Sequence, residues 1–293
     1  MTSNEMIGII GKLALEAMLL EVSATPKPGL VDRNNSGAHK DMDFLTFMKS
    51  AASLAGSFVD FAKEGFSGGM NDVPSVEVFP SVRKIGIEAE RKMFLATGGI
   101  NTHKGEIFSL GLLSACAGYL AGSKREVNAD EVMRLAAEMC AGICKRDFAG
   151  VSKKSPGTLT KGEQVYLELG ITGIRGEAES GYLSVRESSL PALRKYISSG
   201  LSLNDAMAMT LIHIMANAQD TNIISRHNIE TAQEVVRTAR KMIESGFGLD
   251  DIRRLDDEFI TRWISPGGSG DLLAVTYFLF KLFELPIRVR TSQ

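Results

Sequence analysis

The chain of 293 residues is poor in several features that would each narrow its role. It has three cysteines, Cys116, Cys140 and Cys144, too few for a disulfide framework, which points to a reducing compartment. Cys140 and Cys144 stand four apart on an expected helix. No second pair is present to complete a zinc site, so packing thiols are the expectation. Excess charge is lacking as well: 33 Lys+Arg against 35 Asp+Glu leave a formal net charge of -2, with no long-range field for a nucleic acid or an anionic membrane. The start, MTSNEM, has neither the basic residues nor the apolar block of a signal peptide. Leu272 to Phe280, read as the most apolar stretch, falls short of the roughly 20 apolar residues that span a bilayer. Neither G-x-G-x-x-G nor G-x-x-x-x-G-K-[ST] occurs, which excludes the Rossmann and P-loop readings. Internal repeats, low-complexity linkers and alternating β-branched runs are absent too. The expectation is a cytoplasmic protein with no nucleic-acid and no membrane partner.

What remains is ordinary globular material, 44% hydrophobic and 23% charged, close to soluble averages. The length allows one large domain or two small ones. Apolar residues recur at three- and four-residue steps from Met6 to Met18, and again in Phe44 to Phe61, Ile107 to Leu120, Val132 to Ile143, Ala206 to Met215 and Val235 to Ile243, each a helical stripe. Asn128 with Glu131, Thr160 with Glu163 and Ser202 with Asp205 read as helix starts whose side chains accept orphan backbone N–H groups. Gly65, Gly122, Gly200 and Gly246 read as helix ends. The pattern predicts an all-α protein, one compact domain over residues 1–293 with ten to twelve helices.

Four polar segments interrupt the helices: TPKPGLVDRNNSGAHKDMD (25–43), TGGINTHKGE (97–106), AQDTNIISRH (218–227) and SPGGSGD (265–271). Loops on a rigid scaffold carry chemistry disproportionately. In the first, two prolines fix the backbone around Lys27, followed by Asp32, Arg33, Asn34, Asn35, His39, Lys40, Asp41 and Asp43. A solvated loop with Asp41 or Asp43 capping the next helix explains any one of these, but the whole set together favours function. In the second, Gly98 and Gly99 precede Asn101-Thr102-His103-Lys104-Gly105 and a helix, an arrangement suited to a phosphate; an ordinary N-cap by Thr102 is the plain alternative. The fourth, with Gly267, Gly268 and Ser269, repeats that logic ahead of a helix expected from Leu272. Asp271 is read there as a first-turn acid or an oxygen ligand for Mg²⁺. Asp220 in the third reads as a metal ligand, a general base or a cap. His213 reads as a core histidine. Glu90 stands about two turns before Gly98, where a helix would aim it at that loop. RGEAESGY (175–182) either lines a ligand or crosses the surface. These residue types suit a Mg²⁺-nucleotide site without naming a reaction.

Assembled, the strings TPKPGLVDRNNSGAHKDM, GGINTHKGEIFSLGLL, TGIRGEAESGY, DTN and SPGGSGDLL make the chain resemble the triphosphoribosyl-dephospho-coenzyme A synthase family over about residues 13 to 285. The resemblance leans toward the branch serving citrate lyase rather than malonate decarboxylase. It implies that ATP gives up adenine while its triphosphoribosyl group moves to 3'-dephospho-CoA, and that a phosphoribosyl-dephospho-CoA transferase passes the product to an acyl carrier protein. A carboxylate or imidazole would then stabilise an oxocarbenium-like transition state or take the acceptor's proton. Candidates for that role are Glu90, Asp220, His39 and His103. Phosphate contacts are expected from Lys27, Arg33, Asn101, Thr102, Lys104, Gly105, Arg226, Gly267, Gly268 and Ser269, and Mg²⁺ contacts from Asp41, Asp220 and Asp271. A homodimer is left open. Two other classes stay in view: an all-α, Mg²⁺-dependent nucleotide or ADP-ribosyl hydrolase, and a non-catalytic nucleotide- or CoA-binding helical protein.

Overall fold

A computed structural model describes residues 2–284, which form fourteen α-helices and, among the described residues, no strand. The all-α expectation holds. The helix count exceeds ten to twelve because three helices have only six residues each, too short to display a 3.6-residue period. Contacts gather the chain into two compact units: one comprises residues up to Glu21, Leu45–Ala141 and those from Ala274 on, the other Val22–Phe44 and Gly142–Leu273.

The first unit is built from α1 (Ser3–Ser23), α2 (Phe44–Met70), α3 (Ser75–Ala96), α4 (Lys104–Gly122) and α5 (Ala129–Met139). Its axis is a seam of small residues between α2 and α4. A Cβ added to Gly65 would fall 1.8 Å from the Ala115 carbonyl oxygen, and one on Gly69 2.1 Å from that of Tyr119. Reciprocally, Cβ atoms on Gly118 and Gly122 would meet the carbonyl oxygens of Ala62 and Phe66 at 2.0 and 2.1 Å. The two backbones therefore touch, which only glycine permits. Gly65 ends no helix; α2 continues for five residues beyond it because the seam, not a turn, requires the glycine. Gly111 leaves room for the Phe61 ring in the same way. α4 is long and apolar enough to cross a bilayer, but 83% of its apolar window is buried within the protein, which marks it as a core helix.

The second unit holds α6 (Ile143–Phe148), α7 (Lys161–Leu169), α8 (Ile174–Glu179), α9 (Leu190–Ser198), α10 (Leu203–Met215), α11 (Thr221–Arg226), α12 (Ile229–Ser245) and α13 (Leu249–Arg262). The last helix, α14 (Gly267–Glu284), starts in this unit and contributes its residues from Ala274 on to the first. There Tyr277 donates a hydrogen bond to Glu16 of α1.

The expected starts at Asn128, Thr160 and Ser202 are N-caps, each accepting from the backbone N–H three residues on, and Thr160 with Glu163 forms a full capping box. Two boundaries differ from expectation. Cys140 and Cys144 do not share a helix, because α5 ends at Met139 and Gly142, at φ 75°, breaks the chain before α6. α14 begins at Gly267 rather than Leu272, so its glycines form the first turn and Asp271 lies beyond it.

Candidate functional site

Three of the four polar segments meet within the second unit. Segment 25–43 runs without helix and is shaped by two buried acids. Asp32, 1% exposed, accepts from the backbone N–H of Lys27 at 3.3 Å, Asn34 at 2.7 Å and Asn35 at 3.0 Å. Asp256 on α13, 5% exposed, accepts from Gly29 N–H and the Asn35 side-chain amide, both at 2.9 Å. Burial pushes the Asp256 carboxyl up, and the charge of Asp32 adds to that effect. Gly29 has φ +68° and its Cα faces the Ile264 carbonyl so closely that a Cβ would sit 1.9 Å from the oxygen. The loop is thus fastened to the end of α13. Lys27, expected to offer its ammonium to a phosphate, is only 1% exposed, whereas Arg33 stands exposed.

At the far end of this loop lies a polar junction. Arg226, the last residue of α11, donates to the Ala38 carbonyl at 2.9 Å and approaches His39 Nε2 at 3.3 Å. Ser265 Oγ, from the turn before α14, lies 2.8 Å from the same Nε2, and Asp41 Oδ1 is 3.7 Å from Nδ1. A guanidinium can only donate, so Nε2 carries the lone pair and the proton sits on Nδ1. Burial first, then the Arg226 charge, lowers the His39 pKa below its ordinary 6.5, with Asp41 opposing. The imidazole is therefore neutral near pH 7 and chemically a proton acceptor. Next to it Lys40 Nζ sits 4.6 Å from the Trp263 ring centroid.

Asp220 is an N-cap and more. Its Oδ1 accepts from Asn222 and Ile223 N–H of α11 at 2.9 and 3.4 Å. Its Oδ2 accepts from Ser269 N–H and Oγ–H in the first turn of α14 at 2.8 and 3.0 Å. The anion at these helix starts is thus the protein's own carboxylate. Gly267 and Gly268 serve this approach: Cβ atoms there would lie 2.9 Å from Asn222 Nδ2 and 3.2 Å from Asp220 Oδ1. Burial raises the Asp220 pKa against those hydrogen bonds. Among the described residues no group of three or more His, Cys, Asp or Glu side chains is arranged to hold a metal ion. With four donors on its oxygens, Asp220 does not fit direct coordination of Mg²⁺.

The remaining segment, 97–106, belongs to the first unit. Gly98 and Gly99, at φ +65° and +92°, terminate α3, with Gly99 N–H donating to the Phe94 carbonyl at 2.8 Å; they do not open α4. Neither does Thr102 cap that helix. Its hydroxyl donates to Ser50 Oγ at 2.7 Å, the N-cap residue is His103, and Asn101 Oδ1 accepts from Lys104 N–H at 3.3 Å. His103 is wholly buried, with Nδ1 2.7 Å from Ser50 Oγ and its ring edge-on to Phe47. Glu90 does reach this loop, where its Oε2 pairs with Lys104 Nζ at 2.8 Å. Gly105 follows in the first turn of α4.

RGEAESGY is largely a packing motif of the second unit. Arg175 pairs with Asp147 at 2.7 Å and covers the Phe148 ring, and Glu179 accepts from Gly142 N–H at 2.6 Å, joining α8 to α6. Next to Glu179, Cys144 has its thiol pushed up to about 12, mainly by burial. His213 hydrogen-bonds to the Tyr196 hydroxyl at 2.9 Å, as a core histidine should. Sequence reasoning does not single out Asp256 or Trp263. The Trp two residues before SPGG is the one available signal.

A family model described as ATP:dephospho-CoA triphosphoribosyl transferase matches residues 8–288. A 2-(5''-triphosphoribosyl)-3'-dephosphocoenzyme-A synthase of Escherichia fergusonii is 40% identical over 278 residues, 92% of this chain and 89% of that protein. The Klebsiella pneumoniae protein of that name is 40% identical over 271 residues, 90% of this chain and 87% of its own. No solved structure matches. With the match running through every segment that builds the two sites, the chain belongs to the ATP:dephospho-CoA triphosphoribosyl transferase family.

Proposed function

We propose that the chain moves the triphosphoribosyl group of ATP to a ribose hydroxyl of 3'-dephospho-CoA and releases adenine. The observation that supports this most is the junction of three loops distant in sequence, where a neutral His39 stands between Arg226 and Ser265. In the reaction the C1'–N9 bond of ATP breaks, its electron pair leaves with adenine, and the acceptor oxygen bonds to C1'. The acceptor hydroxyl's proton must go to a base, and adenine must gain one. His39 Nε2 is the best placed base, with the substrate hydroxyl taking the position that Ser265 Oγ holds. Asp220 positions α11 and α14 rather than reacting, and buried His103 holds the start of α4 against Ser50.

Arg226 and Arg33 are the cations for a phosphate in the second unit, with Lys27 supporting the loop from below. Lys104, with Asn101, Thr102 and Gly105 around it, is the candidate phosphate contact of the first unit; binding there would exchange Glu90 for the anion. Mg²⁺ would accompany the triphosphate and neutralise part of its charge, with Asp41 and Asp271 as its carboxylates. Sugar transfer to an alcohol also requires that water be kept from C1'. The setting is cytoplasmic. The product would go to a phosphoribosyl-dephospho-CoA transferase that loads an acyl carrier protein, of citrate lyase in preference to malonate decarboxylase.

Mass spectrometry of the product from ATP and dephospho-CoA, with adenine followed by chromatography, tests this. Adenine formed only when the acceptor is present, with a matching conjugate, is the expected result. Adenine from ATP alone would mean a hydrolase, and ATP binding with no product a binding protein; either overturns the proposal.

A further inference from the structure

Trp263 is the only tryptophan of the chain, and it is 42% exposed, although its large apolar ring would ordinarily be mostly buried. It ends α13 in the left-handed region, at φ 58° and ψ 29°, where a bulky side chain is a true outlier and glycine is the usual occupant. The surroundings hold it there. Its N–H donates to the Ile260 carbonyl at 3.2 Å, Ile264 N–H closes onto Phe259 at 2.9 Å, and its own carbonyl accepts from His227 Nε2 at 2.9 Å. A backbone kept in a costly conformation around an outward-facing ring is a sign of use. Two residues later Ser265 meets His39, and the residue after His39 is Lys40, whose ammonium caps the indole face.

From this placement we infer that Trp263 is an adenine platform. A purine stacks on the indole face that Lys40 covers, and the flexible, exposed Lys40 side chain swings from the ring to the phosphates of the same nucleotide. An ammonium over an exposed aromatic face is a weak contact, and a stacked base is a stronger one that still leaves the cation a partner. The inference rests on the nucleotide-dependent reaction above. ATP and dephospho-CoA both carry adenine, so the shared chemistry is the base, and the titration separates the two sources.

Because the chain has a single tryptophan, its emission reports this ring alone. The wild-type protein is titrated with ATP, with dephospho-CoA and with inorganic tripolyphosphate. Saturable quenching by ATP, by dephospho-CoA or by both, with none by tripolyphosphate, is expected, and the nucleotide that quenches is the one whose base stacks. Trp263→Leu should raise KM for that nucleotide roughly tenfold with kcat little changed, and Trp263→Phe should restore most of the loss. Emission unmoved by both nucleotides at concentrations that support turnover, or moved equally by tripolyphosphate, overturns the platform. So does an unchanged KM in Trp263→Leu. Product is assayed in the same samples: quenching without product would sink the transferase reading and leave the platform standing.

Discussion

Asp220 and Ser269 lie 49 residues apart and share two hydrogen bonds through one carboxylate oxygen, from the serine N–H at 2.8 Å and its hydroxyl at 3.0 Å. The other oxygen caps α11. Asp220→Asn keeps one acceptor oxygen but turns an NH₂ group toward donors on the other side. A buried donor left unpaired costs about 1–3 kcal/mol, so the variant should unfold at lower denaturant by that margin. If Asp220→Asn matches the wild type in stability yet loses turnover, Asp220 is a ligand or base after all.

His39 sets an acid limb. Its pKa lies below 6.5 through burial and the charge of Arg226, so the active, neutral form persists to lower pH than for an ordinary histidine. Arg226→Ala removes the repulsion and should move the acid limb of kcat/KM upward; Asp41→Asn removes the opposing attraction and should move it downward. The stability sign follows from the same shift. Below about pH 6.5 the unfolded chain takes up protons that folded His39 refuses, as does His213, whose pKa is also lowered by burial. Their contribution is complete above 6.5 and declines as pH falls through the folded values. Opposite movements of the two limbs are the pattern to look for; limbs that stay put in both variants would remove His39 as the base.

Lys104 and Glu90 form a partly exposed pair, 49% and 28% accessible, and such pairs contribute at most about 1 kcal/mol to stability. Lys104→Ala should therefore leave the melting curve almost unchanged while raising KM for a phosphate-bearing substrate severalfold. A variant with unaltered kinetics takes Lys104 out of phosphate binding.

Two glycines of α2 offer a matched comparison. Ala at Gly56, where nothing lies within 4 Å of the new Cβ, should stabilise by up to about 1 kcal/mol through helix propensity. Ala at Gly65 would place the same methyl 1.8 Å from the Ala115 oxygen and should destabilise by about 1–3 kcal/mol or more. Equal midpoints for the two variants would mean that α2 and α4 do not touch as described.

Local signals were legible and tertiary ones were not. The caps at Asn128, Thr160 and Ser202 operate within one turn, so their chemistry lies in adjacent letters. Gly65 reads as an ending because a glycine in a helical run looks like one until its partner is known. The four-residue spacing of Gly65 with Gly69, repeated by Gly118 with Gly122, is the signal for a close helix pair. The six-residue α11 left too few apolar positions to show a period.

The site divides along the same line. Segments 25–43, 218–227 and 265–271 were identifiable by their density of reactive groups, and the reach of Glu90 toward Lys104 followed from helical spacing. What the letters could not reveal is that the glycine-rich start of α14 would be filled by Asp220. Lys27 offers the same lesson, since Asp32 holds its backbone and its side chain is buried. Asp256 carries no signal of its role, because an acid within LDDEF looks like any solvated helix face.

One carboxylate serving two helix beginnings has a further effect on acid response. Protonating Asp220, which burial already favours, would withdraw the negative charge from α11 and α14 in a single event. Arg226 at one end of α11 and Ser265 just ahead of α14 would then slacken together around His39. The grip on the imidazole would loosen over the range of that one titration.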